Sequence, residues 1–295
     1  MSNSPAPATT RPPPTETAKA ALWMLGAVLS FSTMAVAGRE VSLALDTFEI
    51  MTYRSFVGLA IVLAILSVRG GLARVRTDRL RLHAVRNAAH FVGQNLWFFA
   101  VSAIPLAQVF AVEFTSPIWA LLLAPLILGE RITRTGLLAA LVGFVGILVV
   151  ARPSPDSLSP GLLAAAGAAV GFGVTAVLTR RLTRTESILT ILFYLTAMQA
   201  VFGLVCALID GDMALPSAAT LPFLVLIGCA GLMAHFCLTN ALARAPAAVV
   251  MPIDFLRLPL IAVTGMLLYS EPLDIFVFLG GAMIFAANYA NLVRR

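Results

Sequence analysis

Charge is what this sequence has least of. Asp, Glu, Lys and Arg together make up 12% of its 295 residues, against ~25% in an ordinary soluble domain. A 60% hydrophobic fraction and a mean hydropathy of +0.94 leave too little polar surface to clothe a soluble globule. They describe a chain that crosses a membrane repeatedly. Cysteine is scarce too: Cys206, Cys229 and Cys237 lie in apolar stretches, without metal-ligand spacing and without the even number of a disulfide framework. They read as small buried hydrophobes. The chain also lacks H-E-x-x-H, G-x-S-x-G, a P-loop and any Cys/His cluster. An intramembrane enzyme is therefore the weaker reading, and no cofactor or metal is expected.

What the chain has instead is a series of apolar runs. Residues 1–17 (MSNSPAPATTRPPPTET) carry no apolar periodicity and are expected to form a disordered cytoplasmic tail. Ala20 to Gly38 is uncharged and long enough to cross a ~30 Å hydrocarbon core at ~1.5 Å per residue. A signal peptide competes for this stretch, because Ala35-Val36-Ala37 resembles a cleavage site. The apolar run is too long for one, however, and its repeat partner lies mid-chain. Further runs at 48–68, 84–103, 108–128, 135–151, 159–179, 187–209, 220–243, 247–268 and 274–292 bring the expected total to ten spans.

The runs form two copies. A constant shift of 141 residues carries Gly26 to Gly167, Phe31 to Phe172, Arg39 to Arg180, Tyr53 to Tyr194, Pro105 to Pro246, Glu130 to Glu271 and Phe144 to Phe285. It also sets Glu113 against Asp254, one intramembrane acid answering another. The domains are expected at 18–151 and 159–295, five helices each. Basic residues then fix the orientation. Arg11, Lys19, Arg69, Arg74, Arg76, Arg79, Arg81, Arg131, Arg134, Arg180, Arg181, Arg184, Arg244, Arg294 and Arg295 cluster at one set of helix ends, and only Arg39 and Arg152 at the other. Both termini are expected in the cytoplasm, and the net charge of +6 is explained by topology rather than by a nucleic-acid partner. Five helices per copy force the second copy to enter from the opposite side. The fold class is therefore all-α, a polytopic membrane protein of ten transmembrane helices in two inverted five-helix repeats, the architecture of alternating-access carriers.

The motif EFTSPIWALLLAPLILGERIT followed by GFVGILVVARP, within two five-helix copies, resembles the EamA domains of the drug/metabolite transporter superfamily. The resemblance covers the chain beyond its tail. It implies a carrier with a central cavity between the repeats and with the fifth and tenth helices peripheral. It carries no substrate with it. The reading is a secondary transporter of a small organic, amino-acid-like or vitamin-like metabolite in a bacterial inner membrane, with a lipid or lipid-linked sugar flippase as the alternative. Its partners are a small-molecule substrate and the lipid bilayer, with protons a candidate coupling ion, and its assembly is a monomer or homodimer.

Polar residues inside the spans are the candidate site. Arg257, one turn from Asp254, reads either as a structural ion pair or as a cavity arginine that meets a substrate anion. Its repeat equivalent is Ser116, an asymmetry that favours the second reading. Glu113 and Asp254 are expected on opposite sides of the cavity as gate or coupling acids, with Arg54 an available partner for Glu113. His90 and His235 are expected at mid-membrane, with Gln94 at the position equivalent to His235 and Asn95 and Asn240 extending the polar face. Trp97, Phe98, Phe99 and Trp119 are candidates to stack on a planar solute, or else to pack. Arg86 is expected to snorkel. Pro117, Pro125, Pro252 and Pro259 should interrupt helices 4 and 9 at matching places.

Overall fold

The computed structural model describes residues 14–293 apart from 69, 76, 130, 131, 133, 153–158, 210, 212 and 245–252. The tail as far as residue 13, Pro252 and several of the expected loop arginines (Arg69, Arg76, Arg131, Arg294 and Arg295) lie outside the described residues. Among the described residues there is no strand. The helices are α1 (Pro14–Val41), α2 (Thr47–Val68), α3 (Leu80–Ala103), α4 (Leu106–Glu113), α5 (Ser116–Leu128), α6 (Arg134–Ala151), α7 (Pro160–Leu182), α8 (Ile188–Ala207), α9 (Leu221–Arg244), α10 (Arg257–Tyr269) and α11 (Ile275–Val293). The first begins inside the expected tail. Glu16 sits in its first turn, where the helix dipole favours an acid, and pairs with Lys19 at 2.7 Å.

Seven described stretches are long and apolar enough to cross a membrane, and α10 and part of α11 are shorter apolar helices. The protein is thus an all-helical, polytopic membrane protein. The third expected span is absent from those seven for a chemical reason. Helix α3 is long enough, but it buries His83, Arg86, Asn87, His90, Gln94 and Asn95. Such a helix has to face protein or water rather than lipid.

The main contacts join the two halves, and they come in repeat-related couples. Helix α1 packs on α9 and α3 on α7; α2 packs on α8, α6 on α11 and α4 on α10. A Cβ on Gly26 would stand 3.0 Å from Cys237 Sγ, and one on Gly167 would stand 3.0 Å from Leu96 Cδ1. These are the same contact under the 141-residue shift. The pairing is that of a pseudo-two-fold axis between the halves. Helices α6 and α11 approach each other backbone to backbone, since a Cβ on Gly146 would lie 2.8 Å from the Gly280 carbonyl.

The expected fourth helix is broken. Between α4 and α5 the chain turns at Phe114–Thr115, and the same turn recurs at Phe255–Leu256 ahead of α10. Pro117 has no N–H to return to the Glu113 carbonyl. The Ser116 hydroxyl donates to that carbonyl instead, at 2.6 Å. The next carbonyl, of Phe114, accepts from Asn288 Nδ2 at 2.9 Å. Side chains thus replace the lost backbone bonds, as an interrupted helix within a bilayer requires.

Candidate functional site

Arg257 starts α10 at the second break, and its guanidinium reaches both halves. Nη2 donates to Asp254 Oδ2 at 2.8 Å and Nη1 to Glu113 Oε1 at 3.3 Å. Trp97 Nε1–H donates to the other Glu113 oxygen at 2.7 Å. The rings of Phe31, Phe114 and Phe110 lie 4.8, 5.0 and 5.4 Å from the guanidinium carbon, in cation–π range. Arg257 is 12 residues from the end of α10 at Tyr269, or about 18 Å along the helix, which is mid-membrane depth. Among the described residues, Asp254 Oδ1 and Arg257 Nε are buried without a hydrogen-bond partner. Buried polar atoms require hydrogen bonds, so these two are the atoms here that a solute or water can engage.

One expectation changes at this point: Glu113 and Asp254 do not stand on opposite sides of a cavity but share one guanidinium. The expected Asp254–Arg257 pair is present, and Glu113 of the other repeat joins it. The expected asymmetry has its own consequence here, since one arginine serves the acids of both repeats.

A second polar region joins the first through two aromatic bridges. Phe31 meets the His235 ring edge-on at 5.8 Å. Trp97 packs edge-on against Phe98 at 5.2 Å, and Phe98 lies 5.7 Å from the guanidinium carbon of Arg54. Arg54 is not the partner of Glu113; among the described residues its hydrogen-bond partner is Met51 Sδ at 3.7 Å. His90 Nδ1 and Gln199 Nε2 are 2.9 Å apart, with the amide donating when that ring nitrogen is unprotonated. Gln94 is buried with Nε2 unpaired, and Asn95 Nδ2 turns back to the Phe91 carbonyl at 2.8 Å. Arg86 does not snorkel. It is buried, with Nε donating to Thr179 Oγ1 at 3.0 Å and Nη1 to Asn87 Oδ1 at 2.7 Å. The structure does not bring Trp119 to either region: it bonds Thr115 Oγ1 at 3.2 Å and packs on Phe144. Phe99 is exposed.

The end of the bundle where α1 and α3 finish carries a third cluster. Arg39 pairs with Glu271 and donates to the Val101 and Ile104 carbonyls. The other Glu271 oxygen accepts from the Leu106 N–H at 2.9 Å, and Tyr269 OH donates to Glu40 at 2.8 Å. The repeat had already marked Arg39 and Glu271, each with its equivalent in the other copy. The pairing across halves was the missing inference. The phenylalanines around Arg257 carried no sequence signal that separates them from packing.

Comparison with known proteins agrees with this architecture. A solved crystal structure superposes with a TM-score of 0.63 over 94% of this chain and 97% of its own, at 20% identity, which speaks to the fold alone. The riboflavin transporter of Brucella anthropi is 33% identical over 236 residues, 78% of this chain and 83% of its own. The riboflavin transporter of Rhizobium johnstonii is 30% identical over 93% of this chain and 91% of its own. The S-adenosylmethionine uptake transporter of Rickettsia bellii is 26% identical, with 90% of each chain covered. The model of the EamA-like transporter family matches twice, at residues 18–152 and 159–292. The chain belongs to the EamA-like transporter family of the drug/metabolite transporter superfamily, whose members are transporters and not enzymes.

Proposed function

We propose that the protein is a secondary carrier of a small organic metabolite, working by alternating access between two inverted five-helix repeats in a bacterial inner membrane, with both termini in the cytoplasm. The observation that carries this reading is the pair of repeat-related helix breaks at mid-bundle, with the Arg257–Glu113–Asp254 cluster suspended between them. A buried charge cluster of this kind is costly in a bilayer. It earns its place where two half-helices must part and rejoin around a solute. The phenylalanines and Trp97 around it suit a flat ring, and the curated relatives named for riboflavin and S-adenosylmethionine support solutes of that shape.

In this reading the Arg39–Glu271 cluster closes the outer end, and Ala107 lies beneath that closure. Glu113 and Asp254 are the candidate coupling acids, because a proton on either weakens its hold on Arg257. Proteoliposome counterflow with labelled riboflavin and S-adenosylmethionine tests the reading. Exchange of a preloaded solute that stops in Arg257→Leu is the expected outcome. No exchange of these or of any of a panel of related vitamins and amino acids counts against it.

A further inference from the structure

We propose that the recess around Arg54 is a subsite for an oxyanion carried by the solute, a carboxylate or a phosphate ester. The proposal deepens the carrier reading and rests on it. It starts from a comparison among the arginines inside the bundle. Arg257 and Arg39 are each held by carboxylates. Arg86 is held by a hydroxyl and an amide oxygen. Arg54 has neither. Its recorded contacts are a thioether sulfur at 3.7 Å and the face of Phe98, and among the described residues no carboxylate pairs with it. A guanidinium at membrane depth without a counter-ion is costly, and the other arginines show how this chain meets that cost.

The surroundings of Arg54 are built as a recess. Its lining includes Ser55, Gly58, Thr196, Gln199, Gly231 and His235, and about 20 Å³ of it is free. That is room for about one or two water-sized groups, such as the oxygens of an oxyanion, with the rest of the solute toward the mouth. A Cβ on Gly231 would lie 3.4 Å from Arg54 Nη2, so the missing side chain keeps that edge of the fork open. Phe98 covers the guanidinium face and leaves the N–H edges, the part that grips an oxyanion with two parallel bonds. The 141-residue shift relates Arg54 to Leu195, Ser55 to Thr196 and Gly58 to Gln199, and all six line the recess. The recess thus straddles the pseudo-two-fold axis, yet only one repeat supplies a cation. One recess should hold one anion.

The test uses the purified full chain in detergent and matched probes: nicotinate against nicotinamide, indole-3-acetate against indole-3-acetamide, glycerol 3-phosphate against glycerol. At least one acid or phosphate, offered to about 10 mM, should raise the melting temperature while its neutral partner does not. The pair that responds distinguishes carboxylate from phosphate. Arg54→Gln should weaken that binding at least about tenfold, the loss expected when a charge-assisted bond is removed, and Arg54→Lys should weaken it less. Should Arg54→Gln not fold, Arg54→Lys decides alone, since exchanging a fork for a point charge must still lower the acid's affinity. Silence from every acid and phosphate, equal stabilisation by acids and their neutral partners, or unchanged binding in the Arg54 variants each overturns the assignment. Flux separates this from the carrier reading. Exchange of a neutral solute unaffected by Arg54→Gln removes the oxyanion subsite and leaves the carrier. Arg54-dependent acid binding without exchange of any solute removes the carrier and leaves the subsite.

Discussion

Phe114 and Phe255, equivalent residues of the two repeats, face each other with ring centroids 5.2 Å apart. The pseudo-two-fold axis therefore passes between the two helix breaks, and the residues on either side of each break meet there. Glu113 and Asp254 precede the turns and Arg257 follows one, so a single arginine can hold the acids of both halves.

Removing that arginine should be costly. Arg257→Leu leaves two carboxylates without their counter-ion in an aromatic surrounding, a loss of about 3–5 kcal/mol for a buried pair, read as a clear fall in melting temperature. Adding Asp254→Asn should restore much of the stability without restoring transport. Arg257→Lys should keep the protein folded but lose at least about tenfold in flux, because a point charge replaces the two-armed donor. Wild-type flux in Arg257→Leu would make the cluster part of the scaffold only.

Glu113→Gln and Asp254→Asn should act alike. Both loosen the same guanidinium, so cysteine accessibility at Ala107 should change in the same direction in each. Opposite changes would return the two acids to separate gates.

The outer cluster should behave differently. In the carrier reading, Arg39→Ala or Glu271→Gln removes contacts made only when that end is closed, and ~1–2 kcal/mol of such contacts moves the open fraction about five- to thirty-fold. Labelling at Ala107 from outside should rise accordingly. The 141-residue shift relates Arg39 to Arg180 and Glu271 to Glu130, so in the carrier reading Arg180→Ala should shift the population the other way. Equal shifts in Arg39→Ala and Arg180→Ala would deny the two ends their reciprocal roles.

Much of the fold could be read from the sequence, because a constant 141-residue register constrains which helices can be equivalent. It could not say which equivalents touch. Glu113 and Asp254 were set apart by counting depth along straight helices from opposite membrane faces. Arg257, however, stands three residues beyond Asp254, about 4.5 Å further along the helix, and a long side chain covers the remaining gap to Glu113. Hydropathy likewise underrates α3, whose polar residues turn inward to Thr179, Tyr194 and Gln199. The Arg39–Glu271 pair was visible only as repeated residues, since a contact across 232 positions leaves no local pattern.

The break itself can be altered. Pro117→Ala returns an N–H that can bond the Glu113 carbonyl, so α4 and α5 should tend toward one straight helix. The variant should match or exceed the wild type in stability while its flux falls. Asn288→Leu strands the Phe114 carbonyl and should cost about 1–3 kcal/mol, read as a lower melting temperature. Faster flux in Pro117→Ala would mean that the break is not used in transport.

The central claim is that one buried site is open to each side of the membrane in turn. Gln94 is buried on α3, about one turn before Trp97 and Phe98, so a cysteine at this position, in a background with Cys206, Cys229 and Cys237 replaced, measures it. Labelling with a membrane-impermeant maleimide is compared in right-side-out and inside-out vesicles, with and without a disulfide between cysteines placed at Arg39 and Glu271. The account predicts labelling from both sides in the free protein, and from the cytoplasmic side alone once the disulfide has closed the outer end. Labelling from one side only in the free protein, or from outside despite the closed disulfide, would contradict it.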